Sequence, residues 1–338
     1  MAEPVRVMMF SAQRYDQQFF DDINARQFSE QQFQLAYQAA ALTVDSVVLA
    51  RGCDAVCVFV NDAVNAEVLQ QLHDMGVKTV LLRCAGFNNV DLAAAHRLGM
   101  RVARVPAYSP EAVAEHAIAL IMTLNRHTHR AYNRVREGNL MLDGLLGYTM
   151  FGKTVGIVGT GKIGLATARI LRGFGCHVLG HDPYPSAAFR EIGEYTDFDT
   201  LLARADIVSL HCPLSPATHH LIDGASVGRM KRGATLVNTS RGALIDTTAV
   251  IDALKSHQLG ALAIDVYEQE SELFFRDHSS EIIGDDVFQR LMTFPNVLVT
   301  GHQGFFTKEA LSEIAVITLG NLQCYADGRL CPNEVLAD

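Results

Sequence analysis

Three ionisable residues of this chain each stand just past a short apolar run. Arg241 follows residues 235–238, Glu270 lies beyond residues 261–265, and His302 follows residues 296–300. A guanidinium can grip a carboxylate through two parallel hydrogen bonds. An imidazolium can hand a proton to a forming alkoxide, and a carboxylate beside the ring favours its charged form. Together they could hold and protonate a 2-keto acid while a hydride arrives at its carbonyl carbon. Each also has a plainer reading: Arg241 as a surface ion-pair partner, His302 as a satisfied histidine at a strand end, Glu270 as a solvated loop acid. The elements that carry them decide between the two.

A source of hydride is written earlier in the chain. Val155-Gly156-Ile157-Val158 reads as a buried strand and runs straight into Gly159-Thr160-Gly161-Lys162-Ile163-Gly164, with a helical stretch over 165–174 behind it. In such a turn one glycine makes the tight bend, one lets a pyrophosphate approach the backbone, and one lets the helix pack closely on the strand. The helix N-terminus adds free N–H groups and the positive end of its dipole. A second strand over 176–180 ends at His181-Asp182, about twenty residues past the turn, where the motif places its acid. Asp182 can accept from the adenosine ribose hydroxyls and repels a 2′-phosphate. Pro183-Tyr184-Pro185 supplies no arginine to welcome one, so NAD is expected over NADP. Behind a nucleotide fold, three reactive groups at strand ends occupy the edge where open α/β sheets bind ligands. The catalytic reading then overtakes the plainer ones.

The positioning elements alternate along the chain. Strands are expected over 5–10, 55–60, 79–82 and 101–105, with helices over 65–75 and 91–98, and a second series continues through 153–158, 176–180, 207–210, 235–238, 261–265 and 296–300. Alternation of this kind predicts parallel sheets with crossover helices. The fold class is α/β: two Rossmann-like or flavodoxin-like open parallel-sheet domains with a cleft between them. Ser109-Pro110-Glu111 opens a helix with a cap, a proline at the first position and an acid in the first turn. It is expected to run to about Gly138, apolar nearly all round at its centre and buried between domains or subunits. Because the glycine turn falls mid-chain, the nucleotide domain, residues 107–302, is read as inserted into a substrate domain made of 1–106 plus 303–338.

Bulk properties narrow the function classes. The 338 residues are 49% hydrophobic and carry a formal net charge of −9. That length fits two domains with sizeable cores. An acidic surface argues against nucleic-acid or anionic-membrane partners, and leaves an anionic substrate to local Arg, His or backbone N–H groups. Seven cysteines without paired spacing read as reduced thiols in a cytoplasmic protein. Cys53 and Cys57 lack a second Cys or His pair, so no metal is expected. Residues 1–10 show no signal peptide, and the apolar stretch at 117–124 is too short to span a bilayer.

With these residues assembled, the chain resembles the D-isomer-specific 2-hydroxyacid dehydrogenase family along essentially its whole length, closest to the bacterial fermentative D-lactate branch. The matching segments are Arg83-Cys84-Ala85-Gly86-Phe87-Asn88-Asn89-Val90-Asp91, Val105-Pro106-Ala107-Tyr108-Ser109-Pro110, the glycine turn, His211-Cys212-Pro213-Leu214, the run from Asn238 to Asp246, Asp265-Val266-Tyr267-Glu268, and Gly301-His302-Gln303. The resemblance implies NADH-dependent, reversible reduction of pyruvate to D-lactate. It assigns Arg241 to the substrate carboxylate, His302 to proton donation and Glu270 to the histidine, leaving Glu268 structural. It places Asp265 near the nicotinamide carboxamide, with Thr239, Ser240, Cys212, Pro213 and Thr218 lining the cofactor. Cys84, Ala85, Gly86 and Phe87 form a substrate loop rich in backbone N–H groups, with Tyr108 and Phe305 as further substrate contacts. Cys84 itself reads as a small packed residue. Thr218 stands where the lactate branch often carries Asn, and Gly301 where many relatives have Pro. The long segment after Glu270 favours lactate over glycerate-type relatives, and the lack of a regulatory domain after the last helix counts against long phosphoglycerate dehydrogenases. The alternatives are a related enzyme acting on hydroxypyruvate, glyoxylate or a bulkier keto acid, and an NAD-sensing corepressor or scaffold. A homo-oligomer, dimer or tetramer, is expected from the apolar helix over 112–124.

Overall fold

The computed structural model describes residues 4–29 and 33–336; the start of the 1–10 stretch lies outside them. The chain divides into two compact units, Met1–Ser109 with Phe306–Asp338, and Pro110–Phe305.

In the first unit the chain runs β1 (Arg6–Met9), α1 (Arg14–Gln27), β2 (Gln34–Tyr37), β3 (Ala55–Val58), α2 (Ala66–Asp74), β4 (Thr79–Leu82), α3 (Leu92–Arg97) and β5 (Arg101–Ala103). All strand pairs are parallel, in the order β2-β1-β3-β4-β5. Every residue of β3 and β4 is buried, as expected of central parallel strands covered on both faces. Helices begin where a side chain can take a free N–H. Asn65 accepts from Val68 at the start of α2, and Asp91 from Ala94 at the start of α3.

The second unit opens with α4 (Pro110–Arg126) and α5 (Thr128–Arg136). It continues through β6 (Thr154–Val158), α6 (Lys162–Gly173), β7 (His177–His181), α7 (Ala187–Arg190), β8 (Glu194–Tyr195), α8 (Phe198–Arg204) and β9 (Ile207–Leu210). Then follow α9 (Gly224–Arg229), β10 (Ala234–Asn238), α10 (Thr247–Lys255), β11 (Leu259–Ile264), α11 (Glu270–Leu273), α12 (Asp286–Met292) and β12 (Val297–Val299). Its parallel sheet has the order β12-β11-β10-β9-β6-β7-β8. The order reverses at β6, the switch point where such sheets bind nucleotides. Side chains alternate between two cores with a period of two. Ile207, Val237 and Ala263 pack with Ile121 and Leu171 on one face, while Val208, Leu236 and Leu262 pack with Leu201 and Leu254 on the other. Each fully buried Leu or Ile contributes roughly 1.5–3 kcal/mol. The last helix, α13 (Lys308–Ala326), returns to the first unit and packs on α1 and β4. Beyond it Val335 N–H donates to the Val102 carbonyl at 2.8 Å and Arg104 N–H to that of Asn333 at 3.1 Å, so the C-terminal tail lies along β5.

The helix predicted from Ser109 to about Gly138 is in fact two, because His127 adopts a left-handed conformation (φ 50°) between α4 and α5. Asn125 clamps the returning chain, donating to the Tyr148 carbonyl and accepting its N–H, both at 2.8 Å. None of α5 is buried, so no packing keeps it in line with α4. The apolar face of α4 is covered by α6 and by β10, β11 and β12 of its own unit. Nine of its residues are buried within a single chain, so its burial needs no second subunit. Unanticipated elements are the polar α1, of which Asp16, Phe20 and Ile23 are buried, and the short edge strands β2 and β8.

Candidate active site

The glycine turn leaves β6 with geometry suited to a pyrophosphate. Gly159 has φ 89°, and a Cβ there would strike the backbone of His211 and Cys212. At Gly164 a Cβ would meet the Gly159 carbonyl oxygen and the side chain of Ile157, so α6 can approach β6 only with glycine at that position. At Gly161, the N-cap of α6, a Cβ would meet nothing within 4 Å, and no side chain caps the helix. An uncapped helix start with room beside it suits an anion such as a pyrophosphate. Lys162 is exposed and Ile163 half-buried at the first turn of α6. Asp182, at the end of β7, accepts from Thr160 N–H at 2.7 Å and Tyr184 N–H at 2.8 Å. Its carboxylate thus braces the turn while its remaining lone pairs can take ribose hydroxyls.

Next to β6, the end of β9 carries His211, Cys212 and Pro213. Burial pushes the Cys212 thiol up to about 11, which keeps it protonated and poorly nucleophilic at neutral pH. The Ser240 hydroxyl donates to the Cys212 carbonyl at 2.7 Å, joining the β9 and β10 ends. Thr239 is 8% exposed and its hydroxyl oxygen has no partner, an orphan that a bound cofactor could satisfy. The Thr218 hydroxyl, by contrast, is engaged within its own turn, donating to the Pro213 carbonyl at 2.7 Å and accepting Ser215 N–H at 2.8 Å. The donor set, the uncapped helix start and the orphaned hydroxyl fit a dinucleotide.

Three adjacent strands bring the reactive groups to the same edge. Because β10, β11 and β12 are parallel neighbours, the segments following them all emerge at their C-terminal ends. Arg241 follows β10, held by Asn238 Nδ2 donating to its carbonyl at 2.8 Å, while its Nη1 donates to the Ser240 carbonyl at 2.7 Å. Glu270 begins α11 after β11, and its Oε2 accepts Tyr267 N–H at 3.0 Å. His302 follows β12, with Nδ1 2.9 Å from Glu270 Oε1. The carboxylate orients the ring and leaves Nε2 as the nitrogen available for proton transfer. Phe275 and Phe305 lie beside the imidazole, at ring centroid distances of 5.8 and 6.5 Å.

Asp265 ties this edge together. It is 1% exposed; Oδ1 accepts Gln303 N–H at 2.9 Å and Oδ2 accepts Gly304 N–H at 2.8 Å, while its backbone carbonyl takes His302 N–H at 2.7 Å. Three consecutive N–H groups are thus pinned to one residue, which stabilises the left-handed backbone of His302 (φ 53°). Oδ1 also receives the Thr300 hydroxyl and lies 3.1 Å from His116 Nε2. Burial alone would raise Asp265, but the hydrogen bonds from His116, Thr300 and Gln303 outweigh it and hold the carboxyl below the usual range. These partners occupy most of the lone pairs that the resemblance reserves for a nicotinamide carboxamide. His116, on α4, is the residue that sequence reasoning missed. The available signal was a lone imidazole among the apolar residues of that helix.

The remaining candidates belong to the first unit. Cys84 is 6% exposed and its thiol donates to the Gly86 carbonyl at 3.3 Å, so it is a packed residue of the loop. The carbonyls of Cys84 and Ala85 are taken by Val105 N–H and Arg104 Nη1, and Arg104 also lies 4.9 Å above the Phe87 ring. These contacts hold the loop carbonyls in fixed positions. Tyr108 is half-buried just before the crossing to the second unit.

Comparison with known proteins follows the same lines. Residues 118–304 match the family model described as D-isomer specific 2-hydroxyacid dehydrogenase, NAD binding domain. A relative named 2-hydroxyacid dehydrogenase A, from Aspergillus oryzae, is 57% identical over 334 residues, covering 99% of this chain and 96% of its own. The apo-structure of D-lactate dehydrogenase from Escherichia coli superposes with a TM-score of 0.90 at 50% identity, over 98% of this chain and 100% of that one. The structure of the pyruvate reductase of Chlamydomonas reinhardtii gives a TM-score of 0.91 at 46% identity, over 98% of each chain.

Proposed function

Because the chain belongs to the D-isomer specific 2-hydroxyacid dehydrogenase family and is an NAD-dependent enzyme of it, we propose that its reaction is the reversible reduction of pyruvate to D-lactate. The observation that carries this reading is the delivery of Arg241, Glu270 and His302 by three neighbouring parallel strands, with the imidazole already bonded to the carboxylate. NADH, when bound, supplies the hydride that reduces the keto carbon. Arg241 holds the substrate carboxylate through its planar fork and sets the carbonyl in place. His302 Nε2 gives its proton to the carbonyl oxygen as negative charge grows there, and Glu270 stabilises the charged ring before transfer. In the oxidative direction the same nitrogen takes the hydroxyl proton back.

Gly159, Gly161 and Gly164 with the α6 N-terminus would hold the pyrophosphate, and Asp182 the ribose. The names of the compared proteins include a D-lactate dehydrogenase and a pyruvate reductase, which supports pyruvate over larger keto acids. The packing of Phe275 and Phe305 beside His302 points the same way, since an apolar wall suits a methyl group. We also infer a homo-oligomer, on the exposed apolar run discussed below. The deciding experiment is NADH oxidation with pyruvate, hydroxypyruvate, glyoxylate and a branched keto acid, with the product resolved by enantiomer. Pyruvate should have the highest kcat/KM and yield D-lactate; L-lactate, or a preference for another acid by tenfold or more, would overturn the assignment.

A further inference from the structure

A cluster in the second unit is used by no step above. His220 has a left-handed backbone (φ 49°), and its imidazole stacks on that of the preceding residue, His219, with ring centroids 4.0 Å apart and planes inclined by 26°. His220 Nε2 lies 2.6 Å from Glu268 Oε1, and the other oxygen of Glu268 accepts from the Thr247 hydroxyl at 3.2 Å. One ligand atom from each of His219, His220 and Glu268 falls within 4.8 Å of the others. We infer that these three residues form a binding site for a divalent transition-metal cation, with Zn2+ as the ion best suited to it.

Two imidazoles and one carboxylate are the donor set that zinc takes when it keeps a fourth position for water. Tetrahedral bonds of about 2.0–2.2 Å place donor atoms roughly 3.3 Å apart. His219 must therefore close by an ångström or so, and its side chain is exposed, so the shift meets little packing. The other two side chains are about one-third exposed and set by packing, and Thr247 fixes the free oxygen of Glu268, which orients the carboxylate for a metal. The ion would replace the His220–Glu268 hydrogen bond. That bond by itself explains two of the three residues as a link between loops, but gives no reason for a second imidazole beside it. Mg2+ and Ca2+ prefer oxygen ligands and are poorly served here. A net charge of −9 adds long-range attraction for any cation. Searching for cysteine pairs overlooks this site, because Glu268 lies 48 residues from His220.

Binding would tie the turn containing Pro213 and Thr218 to the segment in which Glu270 lies two residues beyond Glu268. The His302–Glu270 pair contributes no ligand, so loading of the site can be read independently of turnover. The test is calorimetric titration of the full-length protein, stripped with chelator and dialysed, with ZnCl2. One Zn2+ per chain is expected, together with a rise in Tm. His219→Ala, a surface change that leaves the His220–Glu268 pair in place, should weaken binding at least tenfold and abolish the rise. Glu268→Gln should weaken it similarly. His278→Ala, at the separate His278–Glu281 pair, should leave the affinity unchanged, and MgCl2 should give no saturable heat. Absence of a one-to-one isotherm, or undiminished zinc affinity in His219→Ala, would overturn the proposal.

Discussion

The imidazole of His302 is constrained by Glu270 at Nδ1 and by flanking aromatic rings, so its contribution can be isolated by one substitution. His302→Gln keeps a donor to Glu270 but cannot protonate an alkoxide. It should lower kcat by about 10²–10⁴-fold, while the NADH Kd from fluorescence titration stays within about twofold of the parent. Near-parental turnover would remove His302 from its proposed role. Asp182→Ala takes away both the repulsion of a 2′-phosphate and a brace on Thr160, so the ratio of kcat/KM for NADH over NADPH should fall at least tenfold. An unchanged ratio would place nucleotide selection elsewhere. Another histidine, His211, links protonation to stability. Burial pushes His211 down to about 4, against about 6.5 in an unfolded chain. Between those values the unfolded chain binds a proton that the folded one refuses. This histidine therefore costs nothing above pH ~6.5, and stability drains as pH falls toward 4, by up to about 1.4 kcal/mol per unit. Urea melts at pH 7 and 4.5 should show the parent losing about 2 kcal/mol more than His211→Asn; equal losses would refute the linkage.

At the scale of elements, the site is an assembly of strand ends held in register by buried polar groups. Asp265 connects β11 to the turn after β12, and His116 reaches Asp265 from α4. His116→Ala should loosen that turn without touching Arg241. The expected result is a fall in kcat of about tenfold with little change in the KM for pyruvate, partly rescued by His116→Gln, whose amide can still donate. A rise in KM alone, with kcat intact, would show that His116 does not position His302. Much of this edge is legible in the sequence, because the apolar runs of β10, β11 and β12 each end abruptly on polar residues and the glycine turn has a defined strand-turn-helix context. His116 is not, since an imidazole on the inner face of an apolar helix carries no sign of its partner 149 residues away. The break at His127 is equally hidden, with no glycine or proline to mark it. The edge strands β2 and β8, four and two residues long, are too short to show a period, so only their neighbours in the sheet define them.

Among the described residues, one stretch of sequence gathers exposed apolar side chains that the chain's own packing does not cover. Between residues 140 and 151 the side chains of Leu140, Met141, Leu142, Leu146 and Phe151 are 64–91% exposed, and Tyr132 and Val135 of α5 extend the same run. Scattered apolar residues are ordinary on a protein surface, but a dense run of this size marks a place where something binds. Among the described residues no helix is long and apolar enough to cross a membrane, and the net charge of −9 disfavours an anionic lipid surface. A second copy of the chain is the partner that needs no additional component, since a two-fold axis can make one patch complementary to itself. The apolar residues of α4 are buried within a single chain, so the case for assembly rests on this neighbouring segment. Light scattering on an eluting peak should therefore give a mass of two or more chains. Leu142→Asp combined with Leu146→Asp should shift it toward one chain, because each new carboxylate would have to be desolvated in the interface. A parental protein that elutes as a monomer at micromolar concentration, or a double variant with unchanged mass, would leave this face without the partner assigned to it.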